Sequence, residues 1–324
     1  MRLIFMGTPQ FAVPSLEALI RHGFDVAAVV TQPDRPVGRG RIVRPSPVKE
    51  AALREGIDVY QPPTLRGADK VELLRSIRPD LIVVVAFGQI LRRAVLDLPP
   101  LGCVNVHPSL LPKLRGAAPI QAAIREGLRE TGVSIMLMDE RMDAGPILAQ
   151  LTAPIFDDDT AATLGDRLAH LGADLLVDTI PRWQAGHVVP RPQDESQATY
   201  CRPLRSEDAI VDWARPAEEI ARICRAQTPW PGCQSIWGER QVRFLSLEAR
   251  PDWTGPAPPG TVITLPSETS RRPDVAVASG QGAVVIRQVQ LAGKRPLAID
   301  AFVRGQPGFI GARLGSTPGE TATT

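Results

Sequence analysis

In Asn105-Val106-His107 an amide and an imidazole stand two residues apart. Along an extended strand that spacing sends both side chains to one side. Asn is a neutral amide donor, and His is a donor that titrates near neutral pH. Together they suit an oxygen on which negative charge develops during a reaction. Alone, the pattern also describes polar residues that close the end of a strand.

The elements around this pair decide what it faces. Leu3-Ile4-Phe5-Met6 is a short apolar run that stops at Gly7. Pro14 opens a helical pattern with Leu16, Leu19 and Ile20 on one face, and His22-Gly23 ends it. A second apolar run covers 26–30, and Ser46-Pro47 reads as an N-cap with proline at the first helical position. Residues 81–86 are apolar on both faces, as in a central parallel strand, and Cys103-Val104-Asn105-Val106-His107 is another strand. This recurring order predicts a Rossmann-like, doubly wound parallel sheet in an α/β domain. Ligands of such sheets lie beyond the carboxyl ends of the strands. Gly7-Thr8-Pro9, Phe87-Gly88-Gln89 and His107-Pro108 all follow strands and are expected to line one crevice. Gly7-Thr8-Pro9 is not G-x-G-x-x-G, which argues against a dinucleotide site.

Val133, Ile135 and Leu137 alternate with Ser134, Met136 and Met138 as a half-buried strand. A loop of 139–145 follows, and Thr160 heads a long helix through Leu164, Leu168, Leu171, Leu175 and Leu176. Periodicity stops in the Pro- and Gln-containing stretch 187–205, which reads as a linker. Beyond it, short strands at 242–247, 261–264, 275–278 and 283–289 alternate with Pro and Gly turns and predict a small β-barrel. The expected organisation is a first domain over 1–186, the linker 187–205, a barrel over 206–310 and a disordered tail over 311–324.

Composition narrows the functional classes. The formal charge of +2 over 324 residues excludes a uniformly basic nucleic-acid coat, though not a local basic patch. Cys103, Cys201, Cys224 and Cys233 form no C-x-x-C pair, so neither a zinc ribbon nor a redox motif is expected, and no metal site. Reduced structural thiols fit a cytoplasmic protein. No export or transit segment is expected, and the apolar run at 81–87 is far too short for a bilayer.

Longer motifs extend the Asn-x-His pair. His107-Pro108-Ser109-Leu110-Leu111-Pro112 is followed by Arg115-Gly116-Ala117-Ala118-Pro119-Ile120-Gln121, Glu130-Thr131-Gly132-Val133, Met138-Asp139 and Asp143-Ala144-Gly145. The series resembles the formyltetrahydrofolate-dependent formyltransferase family. The Arg-Gly-Ala-Ala-Pro-Ile-Gln run, 31–40, Ser46-Pro47-Val48-Lys49, Pro229-Trp230-Pro231-Gly232 and Gly293-Lys294-Arg295 resemble its branch that acts on methionyl-tRNA. The likeness covers about residues 1–310. It implies an Asn105, His107 and Asp143 trio that moves a formyl group from 10-formyltetrahydrofolate, leaving tetrahydrofolate, to the amine of initiator methionyl-tRNA. Asn105 and a protonated His107 would stabilise the oxygen of a tetrahedral intermediate. Asp143 would favour the charged imidazole and take the amine's proton. The resemblance places the folate against Phe87, Gly88, Gln89, Ile90, Leu91, Ser109, Leu110, Leu111, Pro112 and 139–143, Asp139 included.

Between Arg35 and Lys49, Arg39, Arg41 and Arg44 add positive charge with no acidic residue among them, and Gly38 and Gly40 loosen the stretch. A basic flexible loop can follow a phosphate backbone. The family likeness makes it the loop that engages the tRNA acceptor end, with Arg39 at its key position, and makes the barrel an OB-like tRNA-binding domain. Lys294, Arg295 and Arg304 are its candidate phosphate contacts. Leu114 departs from a common aromatic, Phe87 from a common Tyr and Thr228 from a common Asn. Competing expectations are formylation of a small amine, such as a nucleotide amino sugar or glycinamide ribonucleotide, and a tRNA-binding module with a dead site. The chain is expected to be a monomer without an obligate protein partner.

Overall fold

The computed structural model describes residues 1–37, 42–268 and 272–315. It contains two compact units. The first comprises Met1–Pro119, Arg129–Ile155 and Thr163–Arg202; the second comprises Ile120–Leu128, Phe156–Ala162 and the chain from Pro203 onward. The first unit includes residues 187–202.

In the first unit the strands are β1 (Arg2–Gly7), β2 (Asp25–Val30), β3 (Arg35–Val37), β4 (Ile42–Arg44), β5 (Val59–Tyr60), β6 (Leu81–Val85), β7 (Cys103–His107), β8 (Arg115–Gly116), β9 (Glu130–Leu137), β10 (Ile147–Pro154) and β11 (Tyr200–Cys201). Seven of them form one sheet in the order β10-β9-β7-β6-β1-β2-β5. The pairs from β5 through β7 are parallel, as the alternating strands and helices predict. At the other edge β9 is antiparallel to both neighbours, so the sheet is mixed rather than wholly parallel. The loop at 138–146 is too short for a crossover, which takes a dozen or more residues, so β9 and β10 must form a hairpin. Strand order reverses between β1 and β6. The crevice at that switch point is bridged by Thr8 Oγ1 donating to the Phe87 carbonyl at 3.0 Å, joined by Gln32 Nε2 at 3.3 Å.

Period-two alternation divides β7. Val106 faces the helix Ala161–Gln184, which comes so close that a Cβ on Gly172 would lie 2.8 Å from Val106 Cγ1. Cys103 belongs to the opposite core, with Ile4, Met6, Ile82, Val84, Phe87 and Leu91. Asn105 and His107 share the Cys103 side. Each large aliphatic side chain buried here contributes about 1.5–3 kcal/mol, so a one-residue slip of β7 is strongly disfavoured.

In the second unit β12 (Cys233–Trp237), β13 (Arg240–Arg250), β14 (Val262–Leu265), β15 (Asp274–Ala278), β16 (Ala283–Leu291) and β17 (Leu297–Ala298) form an antiparallel sheet. The sequence reading missed β12 and the helix Ala217–Ala226. That helix lays Ile220 and Cys224 against Phe244, Val284 and Phe309, and Trp213 meets Phe244 edge-on at 5.5 Å. Residues 311–315, expected to begin a tail, instead pair with both edges of the sheet. Val262 N donates to the Ala312 carbonyl and Ile236 N to the Gly315 carbonyl, at 2.8 and 2.9 Å. Backbone pairing needs no alternating side chains, so a segment of Gly, Ala and Arg with Leu314 as its one large apolar residue gave no strand signal. The remainder of the expected tail, 316–324, lies outside the described residues. Among the described residues no helix is long and apolar enough to cross a membrane.

Candidate active site

β7 delivers Asn105 and His107 on one face, and both are buried. Among the described residues the Asn105 side-chain amide has no protein partner, and although only 8% of the residue is exposed, its polar atoms are not among the fully buried unpaired ones and so still reach solvent. An amide with no protein partner, in reach of solvent and on the strand face of a titratable group, is open to a ligand oxygen.

His107 is held differently. Its Nε2 lies 3.0 Å from the Leu114 carbonyl oxygen. A carbonyl only accepts, so Nε2 carries the hydrogen and Nδ1 is the free nitrogen. Nδ1 stands 3.8 Å from Asp143 Oδ2, a Coulombic rather than a hydrogen-bonding distance. Burial pushes the imidazole below its ordinary value, while the Asp143 charge and the Leu114 carbonyl pull it up; the net shift is downward. The charged imidazole expected at the intermediate must therefore form against desolvation, which outweighs the carboxylate in this state.

Asp143 sits in the β9–β10 loop with φ +50°, in the left-handed region that non-glycine residues seldom occupy. Its Oδ2 accepts the Gly116 N–H at 2.8 Å, leaving Oδ1 without a partner among the described residues. Gly116 has φ +116°, and a Cβ there would collide with the Cys201 carbonyl. Gly116→Ala is therefore expected to displace this N–H, lower turnover about 10-fold or more and cost about 1–3 kcal/mol of stability. Steady-state kinetics and a melting curve check both effects; an unchanged kcat excludes this role for Gly116.

The other candidates divide into engaged and open groups. Phe87 and Leu91 are core residues, whereas Ile90 is exposed. Gln89 spends its amide on neighbouring backbone, accepting from Leu65 N and donating to the Pro62 carbonyl, both at 3.0 Å. Gly88 has φ +84°, which a side chain would strain. Ser109 donates to the Lys113 carbonyl, and Leu111 N donates to Ser134 Oγ at 3.1 Å. Gln150 Nε2 donates to the Leu111 carbonyl at 2.9 Å. Leu110 packs over Gly132, and the Pro112 carbonyl accepts from Thr199 N. The loop 109–112 is thus fixed by β9, β10 and the chain near 199. Asp139 accepts from the Arg141 guanidinium at 2.8 and 3.1 Å.

Of the basic candidates, Arg35 and Arg44 are exposed partners on the β3–β4 ribbon, which also exposes Ile42 and Val43. Arg39 and Arg41 lie outside the described residues. Lys49 is not free: its ammonium is 2.7 Å from both Asp34 Oδ2 and Gln61 Oε1. Lys294 and Arg295 are exposed in the turn between β16 and β17, and Arg304 is exposed on the helix Ile299–Gly305.

Sequence reasoning missed the residues that hold the loops. Gln193, Glu195 and Thr199 come from the supposed linker and bond to Arg115, Leu114 and the Asp143 loop. No periodicity announces them, because each acts through one side chain from irregular backbone.

Comparison with known proteins places this geometry in context. Residues 1–180 match the formyl transferase family, and residues 203–307 match the formyl transferase C-terminal domain. A protein of Roseiflexus sp. (strain RS-1) named methionyl-tRNA formyltransferase is 46% identical over 97% of this chain and 95% of its own. One of the same name from Methylococcus capsulatus is 46% identical over 98% of this chain and 100% of its own. The solved N-formyltransferase of Helicobacter canadensis, in complex with folinic acid and dTDP-3-aminofucose, shares the fold. Its TM-score is 0.64 at 20% identity, over 88% of this chain and 98% of that one.

Proposed function

This chain belongs to the formyl transferase family, and on that footing we propose that it formylates the α-amino group of initiator methionyl-tRNA from 10-formyltetrahydrofolate. Asn105, His107 and Asp143 are its catalytic residues in this reading. The observation that carries it is the approach of a buried imidazole with one free nitrogen to a carboxylate with one free oxygen, with the Asn105 amide on the same face of β7 and unpaired among the described residues.

The folate supplies an electrophilic formyl carbon. The amine must reach it uncharged, yet an α-amino group titrates at about 7.7–8.0 and arrives largely as ammonium. Oδ1 of Asp143 accepts that proton, directly or through one water. As the amine's nitrogen bonds to the formyl carbon, negative charge develops on the formyl oxygen. The Asn105 amide meets it. With the first proton passed on from Asp143 to solvent, His107 starts neutral and takes up at Nδ1 the second proton, the one the bonded amine nitrogen must lose, where the again ionised Asp143 supports the resulting charge. It can then return that proton to the departing folate nitrogen as the carbon–nitrogen bond breaks. Gly88, Ile90 and the loop 109–112 border the folate, and Phe87, Gln89 and Leu91 hold that border in place.

The tRNA is engaged by the basic ribbon and by the second unit. Arg39→Ala is expected to lower kcat/KM for charged tRNA roughly 10- to 100-fold, the loss of one charge-assisted hydrogen bond, with folate binding unchanged. Equal kinetics of the variant and the parent would remove Arg39 from this role. Lys49, tied to Asp34, is expected to orient the base of the loop. The protein works as a monomer in the cytoplasm.

Transfer of labelled formyl groups to charged initiator tRNA, charged elongator tRNA and small amines tests the reading as a whole. Preference for the initiator is expected. Preference for a nucleotide amino sugar would replace it, and no transfer to any amine would leave a binding module.

A further inference from the structure

We propose that residues 193–201 form a strap that positions the reacting groups, with Gln193 the residue that sets the place of the Asp143 carboxylate; this rests on the reading of Asp143 as catalytic. A non-glycine residue at φ +50° persists only where its surroundings hold it there. The holding group is the Gln193 amide. Its Nε2 donates to the carbonyls of Asp143 and Gly145, at 2.9 and 2.7 Å.

The orientation of that amide is itself fixed. Its Oε1 accepts from Arg115 Nε and Nη2, at 3.0 and 2.8 Å. A guanidinium only donates, so the amide oxygen must face Arg115 and the NH2 must face the two carbonyls. Arg115 is 1% exposed, and a charge so buried needs a partner. The partner is Glu195, on the same strap, at 2.8 and 3.1 Å, with the Tyr200 hydroxyl at 3.1 Å.

The strap grips the other side of the pair as well. Thr199 Oγ1 accepts from Leu114 N at 2.8 Å, and Leu114 has φ +58°. The carbonyl so placed is the acceptor of His107 Nε2. β11 then runs parallel to β8, pairing Cys201 with Gly116, whose N–H holds Asp143 Oδ2. Both left-handed residues beside the reacting groups are therefore fixed by side chains from one segment. A segment that merely joined two units would not need to direct its amide and hydroxyl to these positions.

Gln193→Ala and Gln193→Glu in the full-length protein test the strap. Glu keeps the acceptor for Arg115, and so the fold, but cannot donate to the two carbonyls. Both variants are expected to lower kcat about 10- to 100-fold, the scale of a small misplacement of a reacting group. KM for charged tRNA and the dissociation constant of folinic acid should stay within about twofold, and the Glu variant should still fold, with a melting midpoint lowered by its two unpaired carbonyls. In an Asp143→Asn background, Gln193→Glu should cause no further loss. Parental kcat in the Glu variant, or a loss that multiplies with that of Asp143→Asn, would overturn the strap. Low activity in Asp143→Asn with normal activity in Gln193→Glu would sink the strap alone. Near-normal activity in Asp143→Asn would sink the reading of the site on which it rests.

Discussion

His107→Ala lowers single-turnover formyl transfer by about 10²–10⁴-fold while the protein remains folded. The ring joins the Leu114 carbonyl on one side to the Asp143 carboxylate on the other. Removing it takes away the proton carrier and leaves Asp143 without its cationic partner during the reaction. Truncation also leaves the Leu114 carbonyl unpaired, a cost of about 1–3 kcal/mol that a melting curve would register as a lowered midpoint rather than loss of the fold. A rate within tenfold of the parent would place the proton transfer elsewhere.

A pH effect on stability accompanies this assignment. Burial depresses the His107 value below its unfolded one of about 6.5, so at mildly acidic pH the unfolded chain binds the extra proton and the folded chain does not. Stability is then fully present above that unfolded value and declines as pH falls below it, by at most about 1.4 kcal/mol per pH unit for one group. Urea midpoints measured between pH 5 and 8 should show this decline, and His107→Gln should flatten it. A variant that titrates like the parent would assign the decline to other groups.

Asn105→Ala is expected to lower kcat about 10²–10³-fold, equivalent to about 2.7–4 kcal/mol, with little change in KM for charged tRNA. Among the described residues the amide has no protein partner, and it is not one of the fully buried unpaired groups. Its bond to the formyl oxygen replaces one to solvent and strengthens as negative charge appears there, so its contribution is concentrated in the transition state. Asn105→Asp keeps the shape but places a carboxylate beside the developing charge, and should be slower than Asn105→Ala. If the aspartate variant were the faster of the two, Asn105 would be a packing residue and not a donor to oxygen.

Several features were legible in the sequence because they depend on local pattern. The two-residue spacing of Asn105 and His107 determined that both leave β7 on one face. Short apolar runs marked β1, β2 and β6, and their alternation with helices implied the parallel core of the sheet. The ordered motifs carried the family likeness, which the matches over 1–180 and 203–307 bear out. What the tertiary structure alone decided is where irregular backbone goes. Only the fold brings Gly116 and Asp143 together across 27 residues, and Arg115 and Glu195 across 80. Only the fold closes the second sheet with 311–315. The protonation of His107 was decided there too, because it depends on the water excluded around the ring as much as on the carboxylate beside it, and burial is a property of the packed chain. Periodicity reports which face of an element is covered; it does not report which side chain of a loop crosses to hold another loop in place.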